Sequence, residues 1–192
     1  MSTAFVIGNG VSRTPVPIER LKDHGTVYGC NALYRDFTPN HLIAVDEKML
    51  KELDKTECSC PIWTYYKDHR KKKPYQFFPE KLGWSSGPSA LNLSTIHGHS
   101  VVYILGFDYS GIDRKINNIY AGTNNYRGKD SIPTYYRNWL WQTQKVIGDN
   151  PEVKFIRVID ENCLGPNSFS GLGNLSHESV SSFLEKVQNG RF

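Results

Sequence analysis

The sequence predicts an α/β fold, with a single Rossmann-like domain over residues 1–192 and a doubly wound, mostly parallel sheet. Short apolar runs alternate with stretches of helical pattern along the chain. The first run, Ala4–Ile7, is continuously apolar, which is typical of a strand covered on both faces, and it leads into Gly8-Asn9-Gly10. A second strong run, Ser100–Asp108, ends in an acidic residue.

Length and composition limit the class of protein. The chain has 192 residues, of which 39% are apolar and 22% charged, so it is expected to fold as one compact domain. Its 23 Lys and Arg residues against 19 Asp and Glu give a net charge of +4, which indicates a partner only where the excess is concentrated. No secretory signal and no membrane-spanning run is recognised. The sequence therefore predicts a cytoplasmic protein (host cytoplasm if viral) without a membrane span.

The cysteines are expected to be reduced thiols in that compartment. Cys58-Ser59-Cys60, with His69 nearby, lacks both the usual two-residue gap and a second ligand pair. We therefore predict no metal site. The four cysteines are Cys30, Cys58, Cys60 and Cys163.

The first half of the chain holds four predicted strands. Ser12 is a candidate cap for a helix after the glycine loop. A short helix over Pro15–Asp23 is closed by Gly25, since Gly is common just past a helix end. The other elements are strands over Thr26–Asn31, His41–Val45 and Pro61–Tyr66 and a helix over about Glu47–Asp54.

The second half is predicted to continue the alternation. Pro88 suits the first turn of a helix that runs to about Ile96. Residues from Tyr109 to Pro133 are too long for an idle connection, so they are predicted to form an active-site loop or lid. The chain then continues with a helix over Thr134–Ile147, a final strand over Val153–Ile159 near a sheet edge, and a last helix capped by Ser176 with apolar Val180, Phe183, Leu184 and Val187.

Polar residues follow several predicted strands, namely Gly8-Asn9-Gly10, Asn31, Asp46 and Asp108. Ligands of doubly wound sheets bind at the carboxyl ends of the strands, so we expect these residues to converge on one rim. Glycine lets a ligand approach the backbone closely. Ser85-Ser86-Gly87 would add hydroxyls and free N–H groups at a helix N-terminus. The alternative is that these residues are ordinary turn formers and helix caps.

A basic and aromatic stretch over Lys67–Phe78 predicts contact with nucleic acid. Basic side chains can follow a phosphate backbone, and aromatic rings can stack on bases. The alternative is a solvated loop. The residues predicted to bind nucleic acid are Arg70, Lys71, Lys72, Lys73 and Tyr75.

Four short motifs together resemble a known family. They are Val6–Ser12, Tyr28–Tyr34, Ser85–Gly87 and Val102–Asp108. In order and rough spacing they are similar to those of the bacterial CMP-sialic-acid-dependent sialyltransferases of glycosyltransferase family 42. The resemblance implies a Rossmann-like glycosyltransferase fold without a metal requirement. It also implies a cytidine nucleotide donor held by Gly8, Asn9, Gly10, Asn31, Ser85, Ser86 and Gly87.

One feature of that family is missing here. The family has a catalytic His in the loop after the Asp-ended strand, and the corresponding stretch Ile119–Asn124 contains none. Asp46 and Asp108 are the rim carboxylates available as a general base, which must come within hydrogen-bond distance of the acceptor hydroxyl. Candidates to meet the charge of the leaving phosphate are, by position, Tyr120, Tyr126, Arg114, Lys115 and Arg127.

These observations predict a glycosyltransferase that moves a sugar from a CMP donor to a hydroxyl on hydroxymethylcytosine in double-stranded DNA. The nearest kind of enzyme would be a phage DNA-modifying transferase, with a pentose such as arabinose as one candidate sugar, which flips the target base. Two alternatives stay open: sialyltransferase-like transfer to a carbohydrate acceptor, and a non-catalytic nucleotide-binding protein.

Overall fold

The structure, a computed structural model, describes residues 2–66, 75–159 and 169–192. Within them the chain forms eight strands and four α-helices, with short 3₁₀ segments after the first two strands. The helices are α1 (Glu47–Leu53), α2 (Ser86–Ile96), α3 (Arg137–Asp149) and α4 (Val180–Asn189). The strands are β1 (Thr3–Ile7), β2 (Thr26–Cys30), β3 (His41–Ile43), β4 (Ile62–Thr64), β5 (Tyr75–Phe77), β6 (Val101–Leu105), β7 (Lys154–Ile159) and β8 (Leu175–Ser179).

The strands form a single sheet in the order β5-β4-β3-β2-β1-β6-β7-β8, and every neighbouring pair is parallel. The chain builds outward from β1 to β5 on one side and then crosses to β6 on the other. β1 and β6 are paired in register, with Ile7 opposite Leu105. This confirms the doubly wound α/β fold and places the topological switch point between β1 and β6, where such sheets bind ligands.

The core lies on both faces of this sheet. Successive residues of β1 point to opposite faces, so Phe5 joins the cluster around Phe183 of α4, whereas Val6 joins the cluster around Leu91 of α2. Both faces of β1 are therefore buried. Burial on both sides is the physical reason for its uninterrupted apolar sequence.

Several predicted elements need correction. The Pro15–Asp23 helix is a 3₁₀ segment over Ile18–Asp23, after Pro17. The strand from Thr26 ends at Cys30, because Asn31 has a positive φ of 49° and opens another 3₁₀ segment. The strands from His41 and Pro61 are likewise shorter than predicted.

The C-terminal region differs most from the prediction. Ser176 does not cap a helix but lies in β8, which pairs with β7 over five residues. The cap of α4 is Ser179, whose side chain accepts a hydrogen bond from Ser182 N at 3.1 Å. The strand over Val153–Ile159 is thus not the final one, because pairing with its neighbour holds a polar stretch extended. Tyr75–Phe77, predicted as part of a basic arm, forms the edge strand β5.

Candidate functional site

A cleft of about 350 Å³ opens at the carboxyl edge of the sheet, at the switch point between β1 and β6. It has the size of a small-ligand site. All nine residues predicted to bind the donor or act as base line this cleft, although they come from five separate segments. They are Gly8, Asn9, Gly10, Asn31, Asp46, Ser85, Ser86, Gly87 and Asp108.

The loop after β1 packs against the turn after β6 at van der Waals limits. A Cβ atom at Gly8 would lie 2.6 Å from the Gly106 carbonyl oxygen, and one at Gly10 would lie 2.5 Å from the Asp108 carboxylate. Backbone bonds join the two loops, with Gly10 N donating to Gly106 O at 2.9 Å. Gly8 is therefore required by the close approach of a backbone and Gly10 by the close approach of the Asp108 side chain, and both contacts bring the floor of the cleft together.

The carboxylate of Asp108 is hydrogen-bonded to the segment that follows β1. Ser12 N donates to Oδ2 at 3.1 Å and the Ser12 hydroxyl donates to Oδ1. The residue is only 8% exposed. Its carboxylate therefore holds the turn that follows Gly10, a structural role at the cleft floor.

Arg157, which was not a predicted site residue, lies in β7 and holds the turn after β6. Its guanidinium, 1% exposed, donates from Nε and Nη2 to the Phe107 carbonyl at 3.0 and 2.7 Å. The signal available in the sequence was the charge of Arg157 within the run Val153–Ile159, in which the other charge, Lys154, stands near the start.

Asp46 differs from Asp108 in its surroundings. It follows β3 as the N-cap residue of α1, but its side chain makes no capping hydrogen bond. Among the described residues, no donor lies within hydrogen-bond distance of its carboxylate. The side chain is exposed at the cleft, yet the protein around it limits its hydration, and this desolvation raises the pKa of the carboxyl above its ordinary value. An unpaired carboxylate of raised pKa has the properties of a general base.

Asn31 and Ser86 meet across the cleft. The Ser86 hydroxyl donates to Asn31 Oδ1 at 2.8 Å and accepts from Val45 N at 3.3 Å. The Asn31 amide nitrogen keeps its two protons for a ligand, in the part of the chain that the structure describes. Ser85 is held by Gln142, whose Oε1 accepts from Ser85 N at 3.1 Å. The start of α2 is thus positioned by both the sheet and α3.

Two tyrosines of the 109–133 loop have different roles. The Tyr120 hydroxyl donates to Asp36 at 2.6 Å and accepts from Arg13 at 3.1 Å, so it is fully used within the protein. The Tyr126 hydroxyl lies at the cleft and accepts from Asn9 Nδ2 at 3.1 Å. Burial, with a contribution from the charge of Asp46, raises the pKa of Tyr126 to about 12, so its own proton remains available to a ligand oxygen.

Of the predicted basic candidates, Arg127 lines the cleft and has no ion-pair partner among the described residues. Lys115 is paired with Asp130 at 2.6 Å and lines a separate cavity. Arg114 lines neither cavity. The geometry therefore favours Arg127 as the cation facing a bound anion.

An aromatic wall of the cleft was missed by the sequence analysis. Tyr136 and Trp139, at the start of α3, line the cleft beside Pro133. The helix was predicted from Thr134, but it begins at Arg137. The signal was the density of aromatic residues at 135–141, which carries no indication of where the helix docks.

Of the predicted nucleic-acid stretch Lys67–Phe78, the structure describes Tyr75–Phe78. Arg70, Lys71, Lys72 and Lys73 lie outside the described residues. Tyr75 is 8% exposed, and its hydroxyl donates to Asp54 at 2.7 Å, so its ring is packed against the core instead of facing solvent. Of the flanking aromatic side chains, Tyr66 and Phe77 are exposed, whereas Tyr65 and Phe78 are buried.

Within residues 2–66, 75–159 and 169–192, no group of three or more His, Cys, Asp or Glu side chains could hold a metal ion. No helix in these ranges has both the length and the apolar character needed to cross a bilayer.

Comparisons of the chain with protein-family models, with curated proteins and with solved structures found no match.

Proposed function

We propose that this chain is a nucleotide-sugar-dependent glycosyltransferase that moves a sugar from a CMP donor to a hydroxyl acceptor. One observation carries the proposal: an unpaired carboxylate and an unpaired guanidinium face the same cleft at the switch point of the sheet. Asp46 would act on the acceptor and Arg127 on the donor phosphate. The cleft also offers amide and hydroxyl groups that can hold a pyrimidine nucleotide.

The donor would lie across the glycine loop. The Asn31 amide and the Ser85-Ser86-Gly87 turn would hold the nucleoside, and the phosphate would face Arg127 and the Tyr126 hydroxyl. A guanidinium and a phenol at the leaving group stabilise the charge that develops as the bond from the sugar to the phosphate breaks.

The acceptor would approach from the open side of the cleft. Asp46 takes the proton of the acceptor hydroxyl as the hydroxyl oxygen bonds to the anomeric carbon of the sugar. The bond between that carbon and the phosphate oxygen breaks, and CMP leaves with the electron pair. Asp46 is preferred over Asp108 because both oxygens of Asp108 already accept hydrogen bonds from Ser12.

For the acceptor we propose hydroxymethylcytosine in DNA. In the sequence, the basic run Arg70–Lys73 stands between β4 and β5, outside the described residues, and its charges suit a phosphate backbone. The excess of positive charge favours a polyanionic acceptor.

The test is a transfer assay. The protein is incubated with radiolabelled CMP-sugars and either hydroxymethylcytosine-containing duplex DNA or oligosaccharides. We expect label in DNA together with release of CMP. Label in oligosaccharides alone would show that the acceptor is a carbohydrate and not DNA. CMP binding without transfer to either acceptor would show that the protein is a nucleotide-binding module.

A further inference from the structure

A short rim segment, residues 132–139, exposes apolar side chains beside the cleft. Ile132 is 74% exposed, Tyr135 65% and Trp139 38%. Single exposed apolar residues are ordinary on a protein surface, but three within eight residues beside a cleft are typical of a binding surface.

The rim segment is continuous with the candidate site. Pro133, Thr134, Tyr136 and Trp139 line the cleft, and the exposed Ile132 and Tyr135 are their immediate neighbours in the chain. Trp139 belongs to both sets, because it lines the cleft and is also open to solvent. A molecule that enters the cleft from this side passes over these rings.

The surrounding chain is basic. Residues 109–141 contain five basic and two acidic side chains, a local net charge of +3 in a chain whose total is +4. One of the five, Lys115, is paired with Asp130 at 2.6 Å. The other four make no ion pair among the described residues, and they are Arg114, Arg127, Lys129 and Arg137.

We infer that the rim segment is the acceptor subsite, where Tyr135 and Trp139 stack on unpaired bases of a DNA strand while the neighbouring cations contact its phosphates. This inference rests on the proposed DNA acceptor and assigns base contact to the rim segment instead of the Lys67–Phe78 stretch. Exposed rings next to unpaired cations match the two parts of a nucleic acid strand, its bases and its phosphates. A base displaced from the duplex would have its hydroxymethyl group delivered toward Asp46.

The experiment measures DNA and CMP binding separately on the full chain. The DNA probes are a 12-mer single strand and a matched hydroxymethylcytosine duplex, each with 2-aminopurine beside the target base. For Tyr135→Ala and Trp139→Ala we expect DNA affinity to fall roughly tenfold to a hundredfold, with loss of the 2-aminopurine quenching that stacking causes. CMP affinity should stay at the wild-type value in Tyr135→Ala, since Tyr135 does not line the cleft.

Trp139→Phe, which keeps a ring, should retain most of the quenching and protects the test against a misfolded alanine variant. Ile96→Ala is the matched control, since Ile96 is 51% exposed but lies at the end of α2 remote from the cleft. Tyr66→Ala and Phe77→Ala test the Lys67–Phe78 stretch in the same way.

Each outcome separates the two levels of the proposal. A wild-type protein that binds no CMP would overturn the proposed function itself. If the protein binds CMP but its DNA affinity is unchanged in Tyr135→Ala and Trp139→Ala, only the subsite is overturned. The same holds if DNA affinity falls only in Tyr66→Ala and Phe77→Ala. A wild-type dimer that Trp139→Ala converts to a monomer in sedimentation would make the rim segment a contact between copies, and would also overturn it.

Discussion

The two ends of the sheet carry similar kinds of polar side chain, but they use them differently. At the carboxyl edge, Asp46, Arg127 and the amide nitrogen of Asn31 line an open cleft and lack partners among the described residues. Near the amino end of β3, a tyrosine and three histidines contact mainly one another. There the Tyr28 hydroxyl lies 2.7 Å from His97 Nδ1 and 3.0 Å from His99 Nε2.

These residues form a histidine cluster (Tyr28, His41, His97 and His99), in which the ring of His41 is stacked on that of Tyr28. The rings of His41 and Tyr28 are 5.0 Å apart, and Trp63 Nε1 donates to His41 Nδ1 at 3.3 Å. Burial, together with the neighbouring His97 and His99, lowers the pKa of His41 to about 4. With its pKa lowered, His41 is neutral near pH 7, and the ring contacts of the cluster stabilise the fold, although His99 Nδ1 has no hydrogen-bond partner among the described residues.

The comparison of the carboxyl edge with the histidine cluster shows that residue type alone does not identify a site. A polar group that faces an open cavity without a hydrogen-bond partner is the better indicator. Substitutions of such unpaired groups at the carboxyl edge should therefore lower function without lowering stability. Substitutions in the histidine cluster should change stability alone.

The largest expected effect is that of Asp46→Asn on turnover. Removing a general base should lower the rate of sugar transfer by about 100- to 10,000-fold, with CMP affinity unchanged. The transfer rate of the wild type should also fall as the pH drops through the raised pKa of Asp46, because only the ionised carboxylate accepts a proton.

Stability gives the second half of that test. The folded state disfavours the ionised form of Asp46, so Asp46→Asn should leave the melting temperature at neutral pH unchanged or slightly raised. The matched variant Asp108→Asn weakens the Ser12 contacts and should cost about 2 kcal/mol. If Asp46→Asn transfers sugar at the wild-type rate, the assignment of the base is wrong.

Next in size is Gly8→Ala. The new methyl group would lie 2.6 Å from the Gly106 carbonyl oxygen and 2.9 Å from the Phe107 ring. Forcing the β1 and β6 loops apart should cost about 3 kcal/mol in urea unfolding. In contrast, a Cβ atom at Gly148 in α3 would meet nothing within 4 Å beyond its own helix, so Gly148→Ala should stabilise the protein by about 0.5–1 kcal/mol. A Gly8→Ala protein as stable as wild type would mean that the two loops are not in close contact.

The histidine cluster should show itself in the pH dependence of stability. Because the pKa of His41 is lower in the folded than in the unfolded chain, unfolding takes up a proton between about pH 6.5 and 4. Stability is therefore present above that range and lost as the pH falls through it. Allowing for solvent screening, we expect His41 to account for about 1–2 kcal/mol.

The measurement is the melting temperature of wild type and His41→Phe between pH 7.5 and 4. The slopes should differ between pH 6.5 and 4 and agree above pH 7. Parallel curves throughout would show that His41 is not buried in its neutral form.

A smaller effect is expected for Arg127→Gln. Loss of one charge-assisted contact to the donor phosphate should weaken CMP binding about tenfold, and the loss should shrink as salt is added. Lys145→Gln, which breaks a surface pair with Asp149, is the control and should bind CMP as wild type does. Equal affinity of wild type and Arg127→Gln would remove Arg127 from the donor site.

The fold could be predicted from the sequence where burial alone decides conformation. β1 and β6 are apolar because both of their faces are covered, and the glycines after β1 mark a close approach of backbones. β8 could not be predicted, because Leu175–Ser179 is mostly polar and is held extended by its pairing with β7. Such pairing is a tertiary contact and leaves no local pattern.

The candidate site divides in the same way. Residues that end a strand, such as Asn31 and Asp46, are brought to the cleft by the topology of the sheet, so their convergence follows from strand order. Trp139 and Arg157 reach the site through packing of α3 and β7, which no spacing in the sequence encodes. The different surroundings of Asp46 and Asp108 depend on Ser12, which lies 96 residues before Asp108.

A crystal structure of the protein grown with saturating CMP tests most directly whether the cleft is a nucleotide site. It should show the nucleotide between Gly8-Asn9-Gly10 and Asn31, with its phosphate in contact with Arg127 and the Asp46 carboxylate on the open side. CMP bound elsewhere on the protein, or an empty cleft with CMP in excess, would contradict the account.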